Sequence, residues 1–204
     1  MITIIPTKLL QNFCLYFFSK PVNHIFDVGG NTGNFAKQCL DFDPNVKVTI
    51  IDLPQQIANL KNIHDKNVQN QSRYSGFGID LLDPNAQLPK GADVIFMSQF
   101  LDCFSETEIL SILQRTATIM GTNTRLYILD LFWDRQEYEA ATYSINCISI
   151  YFTCMANGNS RMYHSKDIIK LIHKAGMYVD EDTDHIGNYH TLLCCKIKTK
   201  NDLP

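Results

Sequence analysis

Residues 24–34, His-Ile-Phe-Asp-Val-Gly-Gly-Asn-Thr-Gly-Asn, put an acid and three glycines at the point where an apolar run gives way to helical spacing. Ile25, Phe26 and Val28 read as a strand, and Phe35, Ala36, Cys39 and Leu40 recur as one face of a helix. Between them lie Gly29, Gly30, Asn31 and Gly33, a turn suited to nucleotide-type ligands. A side chain there would keep a ligand off the backbone, and positions with positive φ favour glycine or, as at Asn31, asparagine. A second acid, Asp52, ends the strand-like segment Val46–Asp52 and is followed by Leu53 and Pro54. It stands about 20 residues beyond the turn, where a carboxylate can accept both hydroxyls of a ribose.

The glycine spacing discriminates between ligands. The dinucleotide fingerprint needs glycine at the first, third and sixth positions. From Gly29 the third and sixth are Asn31 and Asn34, and from Gly30 they are Thr32 and Phe35, so neither register fits. Asp27-x-Gly29-x-x-x-Gly33 instead resembles the first motif of class I methyltransferases, Asp-x-Gly-x-Gly-x-Gly, with Asn31 in place of the middle glycine. The resemblance implies S-adenosyl-L-methionine as cofactor, with its amino-acid end held by Asp27, Gly29, Gly30, Asn31 and Gly33. Asp27-Val28-Gly29-Gly30 followed by Asp52-Leu53-Pro54 is similar to the small-molecule O-methyltransferases of the caffeic acid and hydroxyindole type. Asp80-Leu81 within Gly78–Leu82 resembles that family's adenine-flanking segment, Met97 and Ser98 end its fourth strand, and Arg161-Met162-Tyr163 looks like its late turn. The likeness covers roughly residues 20 to 197.

That resemblance also marks where the acceptor chemistry departs from the family. The family carries a histidine base after the fourth strand, and the position matched to it holds Asp102. A phenol with a pKa of about 10 needs to lose its proton to become a good nucleophile, and a histidine near about 6.5 does this better than an ordinary carboxylate near about 3.9. Asp102 would serve if burial raised its pKa. Alternatively it caps its own loop, as aspartate often does. Asp130, ending the fifth strand, matches a glutamate that orients the missing histidine, and the second such acid falls at Ser160. Methyl transfer demands mainly in-line positioning of the acceptor. Among the histidines, His24 reads as structural, His64 as a solvated loop residue, and His164 as the best outside candidate for a base.

The elements that must position these groups alternate along the chain. Strands are expected near 24–28, 47–52, 73–79, 93–98, 125–131, 177–184 and 188–197, and helices near 33–42, 54–62, 106–119, 137–153 and 166–175. This predicts an α/β, Rossmann-like class I methyltransferase fold: a mostly parallel seven-stranded sheet with helices on both faces. Ser105-Glu106-Thr107-Glu108 is a capping box that starts the helix after strand four. The connection Asp184–Asn188 is too short for a crossover helix, so the last two strands form an antiparallel C-terminal hairpin.

With 204 residues and 45% hydrophobic content the chain can bury a full core. Its net charge of −3 and lack of a basic cluster give no reason to expect nucleic acid. Seven cysteines without a CxxC pair, with Cys14, Cys39, Cys147, Cys194 and Cys195 in apolar contexts, read as buried free thiols and predict a cytoplasmic protein. Leu9–Phe18 is too short to span a membrane. The expected organisation is a linker helix over 1–20, the remnant of a helical domain that the resembling enzymes carry; a cofactor-binding domain over 21–199; and a tail over 200–204. Tyr143, Ile145, Ile148, Ile150, Tyr151 and Phe152 belong either to a shared surface, which would make a homodimer, or to a buried helix. No metal site and no membrane partner are expected. Three readings follow: O-methylation of a small-molecule hydroxyl, a catalytically impaired cofactor-binding or scaffold domain, and a nucleotide-dependent oxidoreductase, against which the turn spacing and the hairpin argue.

Overall fold

In the computed structural model, residues 16–64, 72–155 and 158–198 are described. Seven strands form one sheet in the order β3-β2-β1-β4-β5-β7-β6: β1 His24–Val28, β2 Lys47–Asp52, β3 Tyr74–Gly78, β4 Val94–Ser98, β5 Arg125–Asp130, β6 Met177–Ile186 and β7 His190–Ile197. The helices are α1 Asn34–Phe42, α2 Pro54–His64, α3 Glu106–Ile119, α4 Glu139–Met155 and α5 Ser165–Lys174. A single 3-10 turn, Leu101–Cys103, follows β4. The chain divides into two compact units, Met1–Phe96 and Met97–Pro204.

In the first unit β1 pairs parallel with β2, and β2 with β3. The near-continuous apolar runs of β1 and β2 are those of strands covered on both faces. Phe17, Phe35 and Phe96 form an aromatic cluster, with Phe17 5.5 Å and 5.1 Å from the other two rings. Phe17 is fully buried, so the end of the expected linker segment belongs to this core. The remainder of that helix, with Leu9, Leu10, Phe13, Cys14 and Leu15, lies outside the described residues, as does the tail from 200. His24 is structural as expected: its Nε2 lies 2.8 Å from Thr49 Oγ1. His64, read as a loop residue, instead ends α2, because the helical spacing begun at Pro54 runs two residues further than expected.

In the second unit β7 lies antiparallel between β5 and β6. The hairpin closes through His185, Gly187 and Asn188, all with positive φ, and the Asn188 amide donates to the His185 carbonyl at 3.1 Å. Gly187 and Asn188 adopt such a conformation at little cost, whereas His185 does not favour it. The capping box of α3 is complete: Ser105 Oγ accepts from the Glu108 amide, while the Ser105 amide donates to Glu108 Oε2 at 2.7 Å. Arg135, after β5, bridges Asp182 and Asp184 on β6 at 3.0 Å and 3.1 Å and donates to Ser165 Oγ, fixing the start of α5. One expectation about cysteine fails. Cys147 is exposed on α4, because that helix buries only Ile145 among its described residues; Cys39, Cys194 and Cys195 are buried.

Candidate functional site

The turn after β1 is set by three residues with positive φ: Gly29 at 74°, Asn31 at 46° and Gly33 at 72°. The Gly29 amide donates to the Ile51 carbonyl and the Gly33 amide to the Gly30 carbonyl, both at 2.8 Å. Gly30 is required for another reason. A Cβ there would stand 2.5 Å from Asp27 Oδ2, so the backbone lies directly against that carboxyl. Gly33 is the N-cap of α1 and offers no side chain to the first helical amides. Those N–H groups therefore remain donors at the positive end of the helix.

Two carboxylates of this unit flank the turn. Asp52, half-buried at the end of β2, accepts the Asn31 amide on Oδ2 at 3.0 Å and the Leu53 amide on Oδ1 at 2.7 Å. Each oxygen keeps a lone pair for a further donor. Asp27 is 3% exposed, and its Oδ2 has no hydrogen-bond partner among the described residues. Burial pushes it up to about 7, and the negative charge of Asp52 adds to this. Leu81 is buried, whereas Asp80 is exposed and accepts the Leu82 amide at 2.9 Å, forming an Asx turn. Leu53 is exposed.

In the second unit, Asp102 and Asp130 come together. Asp102 sits in the 3-10 turn and Asp130 at the end of β5; both are buried. Asp130 accepts the Leu131 amide at 2.8 Å, and it is near enough to Asp102 to feel that residue's charge. The Asp102 carboxyl accepts the Cys103 thiol at 3.6 Å. Burial pushes Asp102 up to about 6; burial and then the Asp102 charge hold Asp130 well above the ordinary carboxylate range. Two buried carboxyls this close cannot both ionise easily, so the pair holds on to one proton as pH rises toward neutrality. Sequence reasoning named both acids separately and missed that the fold sets their charges against each other.

The late turn docks on the same 3-10 element. The Arg161 amide donates to the Asp102 carbonyl at 2.8 Å, Ser160 Oγ reaches the Cys103 carbonyl at 3.4 Å, and Tyr163 Oη donates to the Phe104 carbonyl at 2.6 Å. Arg161 pairs with Glu106 at 2.8 Å and lies over the Tyr163 ring. His164 is engaged locally: its Nδ1 accepts the Lys166 amide at 3.2 Å, capping α5, and lies 3.2 Å from Asp134 Oδ2. Met97 is fully buried on β4; Ser98 Oγ is buried and has no hydrogen-bond partner among the described residues. Gln99, at φ 43°, contacts the buried His190. No sequence signal marked Gln99, since glutamine has no special preference for that region.

Known proteins with this arrangement are numerous. A family model described as an O-methyltransferase domain matches residues 1–178. Norreticuline-7-O-methyltransferase of Papaver somniferum is 27% identical over 170 residues, 83% of this chain and 44% of that protein. Pluviatolide O-methyltransferase of Sinopodophyllum hexandrum is 34% identical over 113 residues, 54% of this chain and 27% of that protein. Among solved structures, mitomycin 7-O-methyltransferase superposes with a TM-score of 0.80 at 19% identity, covering 94% of this chain and 54% of that one. Human N-acetylserotonin methyltransferase, solved in complex with SAM, gives 0.71 at 16% identity, covering 95% and 52%. The chain thus spans less than half the length of these plant relatives and about half of the solved chains. At these identities the structures share the fold, and the family model, covering most of the chain, decides the rest: this chain belongs to the O-methyltransferase domain family.

Proposed function

We propose that this chain is the catalytic part of an S-adenosyl-L-methionine-dependent methyltransferase that transfers a methyl group to the hydroxyl of a small molecule. The observation that carries this is the Asp52 carboxylate, held by the Asn31 and Leu53 amides with one lone pair left on each oxygen. The residues fit the cofactor. Asp52 would accept the two ribose hydroxyls, the turn from Gly29 to Gly33 would take the amino-acid end, and the orphaned Asp27 Oδ2 offers a buried acceptor beneath that turn. Asp80 and Leu81 would flank the adenine. When bound, the cofactor supplies a methyl group made electrophilic by its sulfonium.

Asp102 takes the acceptor's proton in this reading, and Asp130, buried and coupled to it, keeps its own proton. Burial raises Asp102 toward the operating pH, which is what a general base needs. The aspartate at the family's histidine position favours a second reading, a cofactor-binding domain without turnover. Titration calorimetry with S-adenosylmethionine, S-adenosylhomocysteine and a nicotinamide dinucleotide tests the cofactor assignment. Binding of the first two alone is expected, and binding of the dinucleotide instead would return the oxidoreductase reading.

We further propose a homodimer and a cytoplasmic location. α4 exposes Tyr143, Ile150, Tyr151 and Met155, a face that a second copy would cover. Sedimentation should give twice the chain mass, and a monomer at micromolar concentration would remove the dimer. No described helix is long and apolar enough to cross a membrane.

A further inference from the structure

We infer that seating the cofactor's amino-acid end expels one proton to solvent, and that the proton comes from Asp27, which then becomes the counter-ion of the cofactor's ammonium group. The inference rests on the cofactor reading above. The geometry comes first. Asp27 is 3% exposed, Oδ2 has no hydrogen-bond partner among the described residues, and the backbone at Gly30 presses so close that a Cβ would meet Oδ2 at 2.5 Å and Cγ at 2.8 Å. An ionised carboxylate with one oxygen unpaired in such a place is costly, and it neutralises instead.

Among the described residues, the ionisable groups coupled to Asp27 are Asp52 on β2, whose charge acts on it, and Tyr74 on β3, on which Asp27 acts. Neither is a cation. Burial, and after it the Asp52 charge, push Asp27 up to about 7; burial, and after it the Asp27 charge, raise Tyr74, which stays neutral. An arriving ammonium reverses the balance, because an opposite charge at hydrogen-bonding distance favours the ionised acid. The exchange is simple: neutral acid plus ammonium gives carboxylate paired with ammonium, and one proton passes to the buffer. No bond to carbon changes.

Linkage then fixes the pH dependence. With an unbound pKa of about 7, affinity should rise about tenfold from pH 6 to pH 8 and then level, while proton release falls from nearly one per ligand at pH 6 to about a tenth at pH 8. The test is titration calorimetry of the full chain with S-adenosylhomocysteine at pH 6, 7 and 8, in pairs of buffers with different ionisation enthalpies. The control ligand is 5′-methylthioadenosine, which carries the same adenine and ribose but no ammonium. Release with the first ligand and none with the second is expected; Asp27→Asn, if it folds, should abolish the release. Binding of S-adenosylhomocysteine without pH-dependent release overturns the proton assignment and leaves the cofactor reading standing. Equal release with both ligands places the proton at the ribose end and overturns it as well. Failure of S-adenosylhomocysteine to bind at any pH removes the cofactor reading, and this inference with it.

Discussion

Replacing Asp52 with Ala is expected to weaken S-adenosylmethionine binding about 100-fold or more while leaving the fold intact. Two charge-assisted hydrogen bonds to ribose hydroxyls are at stake, each worth about 1.5–3 kcal/mol, and every 1.4 kcal/mol is about tenfold in affinity. Their full sum would give a larger loss, but water fills part of the gap. The carboxylate has a second task, because Oδ2 accepts the Asn31 amide and Oδ1 the Leu53 amide. Asn31 holds positive φ, so its turn depends on such partners. Asp52→Asn keeps one acceptor and should fall between the wild type and Asp52→Ala. Equilibrium titration of both variants, with circular dichroism as the folding control, separates the two contributions. An affinity within about threefold of the wild type for Asp52→Ala would show that the ribose lies elsewhere.

Much of the first unit was legible because its signals are local. Gly29, Gly30, Asn31 and Gly33 announce a turn needing positive φ and close approach, and the structure uses them for both. Ser105 and Glu108 form their box within one helical turn, and Asp184–Asn188 is too short for anything but a hairpin. What could not be read depended on contacts between distant segments. Asp102 and Asp130 lie 28 positions apart in sequence, and nothing in either stretch says that the fold couples the two buried carboxyls. Arg135 reads as one more surface cation until β6 brings Asp182 and Asp184 to it. The ambiguity over α4 is of the same kind. An apolar helix looks alike whether its faces are covered or bare, so the exposure of Tyr143, Ile150 and Cys147 had to come from the structure.

Asp102→Asn is expected to lower turnover by about 10²–10⁴-fold, the usual contribution of a general base, with S-adenosylmethionine affinity unchanged. The pH profile is the sharper readout. A base must be ionised to accept a proton, so wild-type turnover should climb with pH through about 6 and then level, and that limb should vanish in the variant. Asp130→Asn should leave the limb near pH 6, since burial is what raises Asp102 and Asp130 still carries its proton where Asp102 ionises. Stability should move the other way. Because the folded chain binds the Asp102 proton more tightly than the unfolded chain does, this residue costs stability as pH rises from the ordinary carboxylate range through about 6. Asparagine does not titrate. The variant should therefore melt at a higher temperature than the wild type at pH 7.5, and the gap should close near pH 4. A loop cap predicts the opposite pattern: turnover kept and stability lost, since the acceptor of the Cys103 thiol would be weakened. Measuring melting temperature and turnover on the same preparation thus distinguishes a residue held at a cost for chemistry from one held only for the turn it closes.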